Sequence, residues 1–261
     1  MSSADRLLQI LAMFSADHPV LTPARAMAAL GASRASVYRY LERLETAGFV
    51  ERVPERGYVL GPTIVELDRQ IRRSDPLLEA AHGLIEKLSV DTGGTVLLCR
   101  FHGDKVLCIE QAVGSQAPAA ISYERGRAMP LYRGATSRII LAHLKRPALE
   151  ALWQRHKKEM IKAGLPSSFE ALSAALVPLR ESRLCETANE VDRDARGFAT
   201  PILDGNRVLG SLSVVLPASS LKPAQHARVI SRLMDAAAGI EARIAGARET
   251  ARQKKSSKPT I

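Results

Sequence analysis

With 261 residues, 46% of them hydrophobic and 25% charged, the chain has room for two domains that each bury a core. No apolar run is long enough to span a bilayer, and the opening "MSSADRLLQILAMF" sets an acidic residue before a short apolar stretch, as a helix start does and a signal peptide does not. A net charge of +10 favours an anionic partner, nucleic acid above all, while Cys99, Cys108 and Cys185 lack the spacing of a disulfide framework or a zinc finger and fit a reducing, cytoplasmic setting.

The excess charge is unevenly spread. Residues 1–73 carry ten Lys or Arg against eight Asp or Glu, whereas residues 243–261 carry six against one. Half of the excess therefore sits in "RIAGARETARQKKSSKPTI". That segment reads as a solvated tail, disordered over 247–261, with auxiliary phosphate contact as its other use.

Leu7, Ile10, Leu11 and Phe14 recur at helical spacing and predict a first amphipathic helix, ended by "DHPVLTP". Thr22 offers an N-cap hydroxyl and Pro23 suits the first helical position, where its missing N–H costs nothing. A second helix buries Ala26, Met27 and Leu30, and Gly31 leaves it with positive φ. Ser33 then caps a third helix, completing a helix-turn-helix. In that helix Val37, Tyr40, Leu41 and Leu44 form the buried stripe. Ser33, Arg34, Ala35, Ser36, Tyr38 and Arg39 are thereby left for the phosphates and base edges of double-stranded DNA. "FVERVPERGYVLG" predicts two short strands about a "PERG" turn, a wing with Arg52 and Arg56 near its tip. The small local charge excess predicts that DNA is gripped by paired modules, in a dimer or larger oligomer on a near-palindromic site.

Residues 62–75 read as a linker helix, and Pro76 breaks it before another helix carrying Leu77, Leu84, Ile85 and Leu88. "TVLLCRF" and "VLCIEQA" predict strands joined at "HGDK", and "AAISY" predicts a further strand. "GATSRIILAHL", "PALEALWQRHKK" and "SSFEALSAALVPLRES" predict helices. The last has a Ser167 to Glu170 capping box and a Pro178 that kinks or shortens it. "GFATPILD" and "RVLGSLSVVLP" flank the turn signal "DGN", and Ile230, Leu233, Ala237, Ile240 and Ile244 mark a final helix. Strands interleaved with covering helices predict an α+β or α/β sensor domain around a central antiparallel sheet. In it, "RGRAMPLYRGATSRIILA" offers a helix start suited to a carboxylate, and "ETANEVDRDARGFATPILD" reads as a polar pocket wall.

Three stretches in order resemble the isocitrate lyase regulator (IclR) family of bacterial transcription factors: "ASRASVYRYLERLETAGFVERVPERGYVLG", "MPLYRGATSRIILA" and "EVDRDARGFATPILDGNRVLGSLSVV". The resemblance spans the chain from about Asp5 to the last helix. It implies an α+β chain: a winged helix-turn-helix over 1–61, a linker over 62–75 and a GAF-like effector-binding and oligomerising domain over 76–246. It also implies dimers or tetramers, and a small organic or aromatic acid that alters DNA binding. By motif position it implies an effector pocket at Gly134, Ala135, Thr136, Thr187, Gly197 and Ser213. The sequence departs from the family pattern at Arg133, Ser137-Arg138, Arg183-Leu184 and Gly197.

Arg100 and Arg133 are guanidinium groups that could pair with an effector carboxylate, though for each the favoured reading is a solvent-facing or surface ion-pairing residue. His102, His143 and His156 lack a metal-ligand grouping, and neither a metal nor a cofactor is expected. Two other function classes are weighed against a regulator. An enzyme would need a nucleophile elbow, a Walker loop or a GxGxxG, and none is present. A sensory adaptor would use the winged helix for protein contacts and leave its exposed donors without a task.

Overall fold

The computed structural model describes residues 2–118 and 121–256. The chain divides into two compact units, one ending at Asp75 and the other beginning at Pro76.

The first unit holds helices α1 (Ser3–Leu11), α2 (Pro23–Leu30) and α3 (Arg34–Thr46), strands β1 (Val50–Val53) and β2 (Gly57–Leu60), and helix α4 (Pro62–Ser74). Ile10, Leu21, Ala26, Val37, Tyr40, Leu41, Leu44, Val50 and Tyr58 form its core. α1 stops at Leu11, ahead of the expected "DHPVLTP", and Phe14 packs against the core from the following turn. A capping box unforeseen in the sequence starts α1: Ser2 N–H donates to Asp5 and Asp5 N–H donates back to Ser2 Oγ. Thr22, Pro23, Gly31 and Ser33 take the expected positions, with Gly31 at φ 56°. β1 and β2 pair antiparallel, and Leu21 adds a third segment to the wing through reciprocal backbone bonds with Tyr58 of 2.8 and 2.9 Å. That approach requires glycine at 57, where φ is 124° and a Cβ would lie 2.6 Å from the Leu21 carbonyl oxygen. α4 begins against this unit, because Thr63 Oγ1 donates to the Ala47 carbonyl beyond the end of α3. The expected separate linker is thus the last helix of the first unit, and none of its residues is buried.

The second unit is built on a six-stranded antiparallel sheet. Helices α5 (Pro76–Ala81) and α6 (Leu84–Thr92) precede β3 (Thr95–His102), β4 (Lys105–Ala112) and β5 (Ala128–Pro130). Then come α7 (Gly134–Ala142), α8 (Arg146–Lys162), α9 (Phe169–Ser182), β6 (Cys185–Ala188), β7 (Ala195–Asp204), β8 (Arg207–Pro217) and α10 (Pro223–Ser256). The strand order is β5-β4-β3-β8-β7-β6. Alternate residues feed two cores. Leu97, Cys99, Ala199 and Val215 pack with α7, α8 and α9; Val96, Leu98, Phe198, Leu212 and Val214 pack with α5, α6 and α10.

Several local expectations change. The helix expected after Pro76 is two helices, parted at Gly83 with φ 74°. "AAISY" supplies no strand within Ile121–Tyr123, and residues 119–120 lie outside the described residues. Ser122 N–H instead donates to the Asp192 carboxylate, so the segment is tied to a loop and not to the sheet. The third strand on that side is β5. Ser168, not Ser167, caps α9, accepting from Ala171 N–H at 3.1 Å. α9 continues four residues past Pro178; the carbonyl that loses its bond is that of Ala174, on the exposed side of the helix, where the loss costs least. α10 runs to Ser256, so residues 247–256 of the expected disordered tail are helical, and 257–261 lie outside the described residues.

Candidate DNA-reading helix and effector cavity

α3 begins on an open end. Ser33 Oγ accepts from Ser36 N–H at 3.3 Å, which satisfies one of the helix's first amides. Arg34, Ala35, Tyr38 and Arg39 are exposed and Ser36 half-buried, opposite the stripe of Val37, Tyr40, Leu41 and Leu44. No acidic residue stands in the first turn. The Arg34 guanidinium lies 5.4 Å from the Tyr38 ring centre and that of Arg39 lies 5.7 Å from the Tyr40 ring. Arg52 is exposed on β1, and Arg56 is exposed in the turn that Glu55 enters at φ 61°. This is a helix N-terminus with donors and exposed arginines, beside a wing that adds Arg52 and Arg56 among its own glutamates, features that suit a DNA groove and its flanking phosphates. Arg6, which the sequence did not single out, donates to the Leu30 carbonyl at 2.9 Å and so caps the end of α2.

The start of α7 is built differently. Gly134, Ala135, Thr136, Thr187 and Gly197 come together around one cavity of about 30 Å³, closed further by Ile121, Tyr123, Glu190, Val191, Asp192, Ala195 and Val215. Gly134 has φ 75°, and a Cβ there would lie 2.7 Å from Val191 Cγ2, so only glycine lets the loop close over the helix. The first amides of α7 are already engaged. Gly134 N–H donates to Glu190 Oε1 at 3.1 Å and Ala135 N–H donates to Thr187 Oγ1 at 3.1 Å. Arg138 Nη2 lies 2.7 Å from the same Glu190 oxygen, which places a neutralised carboxylate at the helix end.

Around it, Tyr123 donates its hydroxyl proton to the Arg133 carbonyl at 2.8 Å and lies 2.6 Å from Ser137 Oγ; burial holds the phenol well above its ordinary pKa. Burial likewise pushes the Cys185 thiol up to about 12, so it is a packing residue. The loop between β6 and β7 is pinned elsewhere by Asp192 on Ser122 and by Asp194 on Ser219.

Three expected effector residues stand apart from the cavity. Arg100 shares strand parity with Val96 and Leu98 and lines a recess with Leu77, Arg243 and Ile244, on the sheet face opposite α7. Arg133 is exposed at the cavity's outer edge, where its Nη2 donates to the Glu190 carbonyl at 3.0 Å; it holds the loop. Ser213 lies on the α7 face but deeper along β8 than the lining residue Val215, and its Oγ is buried without a partner among the described residues. Glu190, Val191 and Asp192 were legible only as part of a polar loop. Tyr123 and Ile121 carried no signal, because they fall in the stretch that reads as a strand.

Comparison with known proteins decides the family. Residues 3–54 match the profile of the IclR helix-turn-helix domain, and residues 70–242 match that of the bacterial transcriptional regulator IclR C-terminal domain. The chain belongs to the IclR family. It is 29% identical over 237 residues to the regulator XynR of Escherichia coli, covering 90% of this chain and 93% of that one. It is 25% identical over 214 residues to KdgR of E. coli, covering 81% of each. An IclR regulator of a Silicibacter species shares the fold at a TM-score of 0.79 and 24% identity over 93% of this chain and 96% of its own. A Microbacterium hydrocarbonoxydans IclR homologue, solved in complex with 4-hydroxybenzoate, shares it at 0.75 and 20% identity over 94% and 100%. This IclR protein is therefore a transcriptional regulator with a DNA-binding helix-turn-helix, and the family is one of regulators, not enzymes. No helix among its described residues is long and apolar enough to cross a membrane.

Proposed function

We propose that this IclR-family regulator binds its operator as a dimer or dimer of dimers through α3 and the wing. A small organic or aromatic carboxylic acid, seated at the start of α7, modulates that binding. The observation that carries the effector half is the carboxylate of Glu190 on Gly134 N–H beside Arg138. An effector carboxylate that exchanges with it meets the same amide, the same guanidinium and the helix dipole. The cavity has room for about one water, so exchange moves the loop over 189–194. Loop movement then shifts the population between operator-matching and mismatching assemblies, and a coupling of about 1–3 kcal/mol suffices for a switch. Two features support pairing of copies: the small charge excess of residues 1–73, and α4, on which Val65, Leu67 and Ile71 are exposed.

The test titrates carboxylates, 4-hydroxybenzoate among them, into the complex with a fluorescent duplex from its own promoter region. Gly197→Ala is the decisive variant. Its added Cβ meets Ala135 Cβ at 3.6 Å and Thr187 Oγ1 at 3.8 Å, ordinary contacts that the fold accepts while the cavity fills. The expected result is unchanged DNA affinity with an effector midpoint raised at least tenfold. An unchanged midpoint removes this cavity from the switch.

A further inference from the structure

A second recess lies at the other end of α7, about 13 Å along the helix axis from Gly134. Its volume is about 520 Å³, against about 30 Å³ for the closed cavity. His143, Lys145, Arg146, Arg180 and Arg183 line it, and no Asp or Glu does. Among the described residues, no carboxylate pairs with Lys145, Arg146 or Arg180. The floor is apolar, made by Leu144, Leu149 and Leu203, and Ser173 and Asn206 add neutral polar groups.

The cations are held in place from separate elements. Arg180 Nε donates to the Ala142 carbonyl at 2.8 Å, which leaves its terminal nitrogens for the recess. The Arg146 guanidinium lies 5.4 Å from the Phe169 ring. Arg183 sits at the end of α9 at φ 53°; one of its Nη atoms pairs with Glu241, while its Nε is buried without a partner. α8, whose first helical run reaches a kink at His156 (φ −122°), starts here, with Lys145 as N-cap, no side-chain cap and no acid in its first turn. Its positive end therefore adds to the side-chain charge. Burial, with Arg180 and Arg183 nearby, lowers the His143 pKa against the opposing pull of the Ile139 carbonyl and Glu241. Glu241 offsets one of these charges, that of Arg183; the remaining like charges of Lys145, Arg146 and Arg180 repel one another, and an anion placed among them relieves that repulsion.

We infer that this recess binds a small phosphate monoester, its phosphate among Lys145, Arg180, Arg183 and the start of α8 and its organic part on the leucine floor. The site is distinct from the effector cavity: no residue lines both, and β7 borders the two through Leu203 on one side and Ala195 and Gly197 on the other. A compact, multiply charged oxyanion suits several convergent donors from different elements, and the volume is that of a small-metabolite pocket.

Isothermal titration of the full-length protein uses glycerol 3-phosphate, inorganic phosphate and neutral glycerol as probes. A parallel measurement follows the His143 imidazole by NMR across pH. Lys145→Gln removes an exposed cation and leaves the fold intact; Arg183→Gly suits the left-handed backbone at that position but breaks the Glu241 pair, so its circular dichroism spectrum is compared with wild type. Lys162→Gln, at the far end of α8, makes the same charge change away from the recess. The expected result is saturable binding of glycerol 3-phosphate, weakened at least tenfold in K145Q and R183G and within twofold of wild type in K162Q. Bound phosphate ester also raises the His143 pKa. No saturable binding of either phosphate probe up to about 10 mM overturns the proposal, as does equal weakening in K162Q. A random-sequence duplex that raises the His143 pKa where glycerol 3-phosphate does not overturns it in favour of a nucleic-acid contact.

Discussion

The starts of α3 and α7 are the same chemical object, a helix N-terminus with a positive dipole end, set in opposite surroundings. At α3 a serine caps the helix, the flanking arginines are exposed, and no acid competes for them. At α7 the helix is buried from Gly134 to Ser137, and its first amides are held by Thr187 and by Glu190, a carboxylate supplied by the chain itself. Solvent explains the difference. An exposed helix end is satisfied by water until a phosphate arrives, whereas a buried end must be satisfied within the protein. The α3 end is therefore open to an incoming phosphate. A ligand at α7 must replace a group already bonded there.

The sharpest way to break that comparison is Arg39→Ala. It is expected to weaken promoter DNA binding at least tenfold, about 1.4 kcal/mol, with an unchanged circular dichroism spectrum. Equal affinity in a fluorescence-anisotropy titration would take α3 out of the DNA interface. Glu190→Gln probes the occupied end. With the competing charge gone and Arg138 released, the midpoint for a carboxylate effector is expected to fall about fivefold. A rise in that midpoint would mean that Glu190 holds the cavity together and does not compete for it. Ser33→Ala has the smallest effect. Loss of the cap is expected to cost the first unit about 1 kcal/mol, read as a fall of a few degrees in its thermal midpoint. No fall would show that water caps α3 as well as Ser33 does.

Legibility differed between the two sites for the same reason. The exposed face of α3 followed from one helix, because Val37, Tyr40, Leu41 and Leu44 assign the buried side and leave the rest exposed. At the cavity, Gly134 to Thr136, Thr187 and Gly197 followed from motif resemblance, and the structure brings them together. Arg100 did not join them. Alternation says which residues share its sheet face, and only the packing of α5 and α10 says which face that is. Ser213 has the right face and the wrong depth.

By itself the sequence determined what acts over a few residues. It set the stripe of α3, the caps at Thr22 and Ser33, the left-handed exit at Gly31, the turn at Gly205, and through three ordered stretches the family. These rest on backbone geometry and on hydrogen bonds between near neighbours. Tertiary structure alone decided what spans long separations: Glu190 on Gly134, Asp192 on Ser122, and the cations of α8 and α9 around one recess. No local preference encodes such pairings, because they exist only after two segments distant in the chain have been packed against the same sheet.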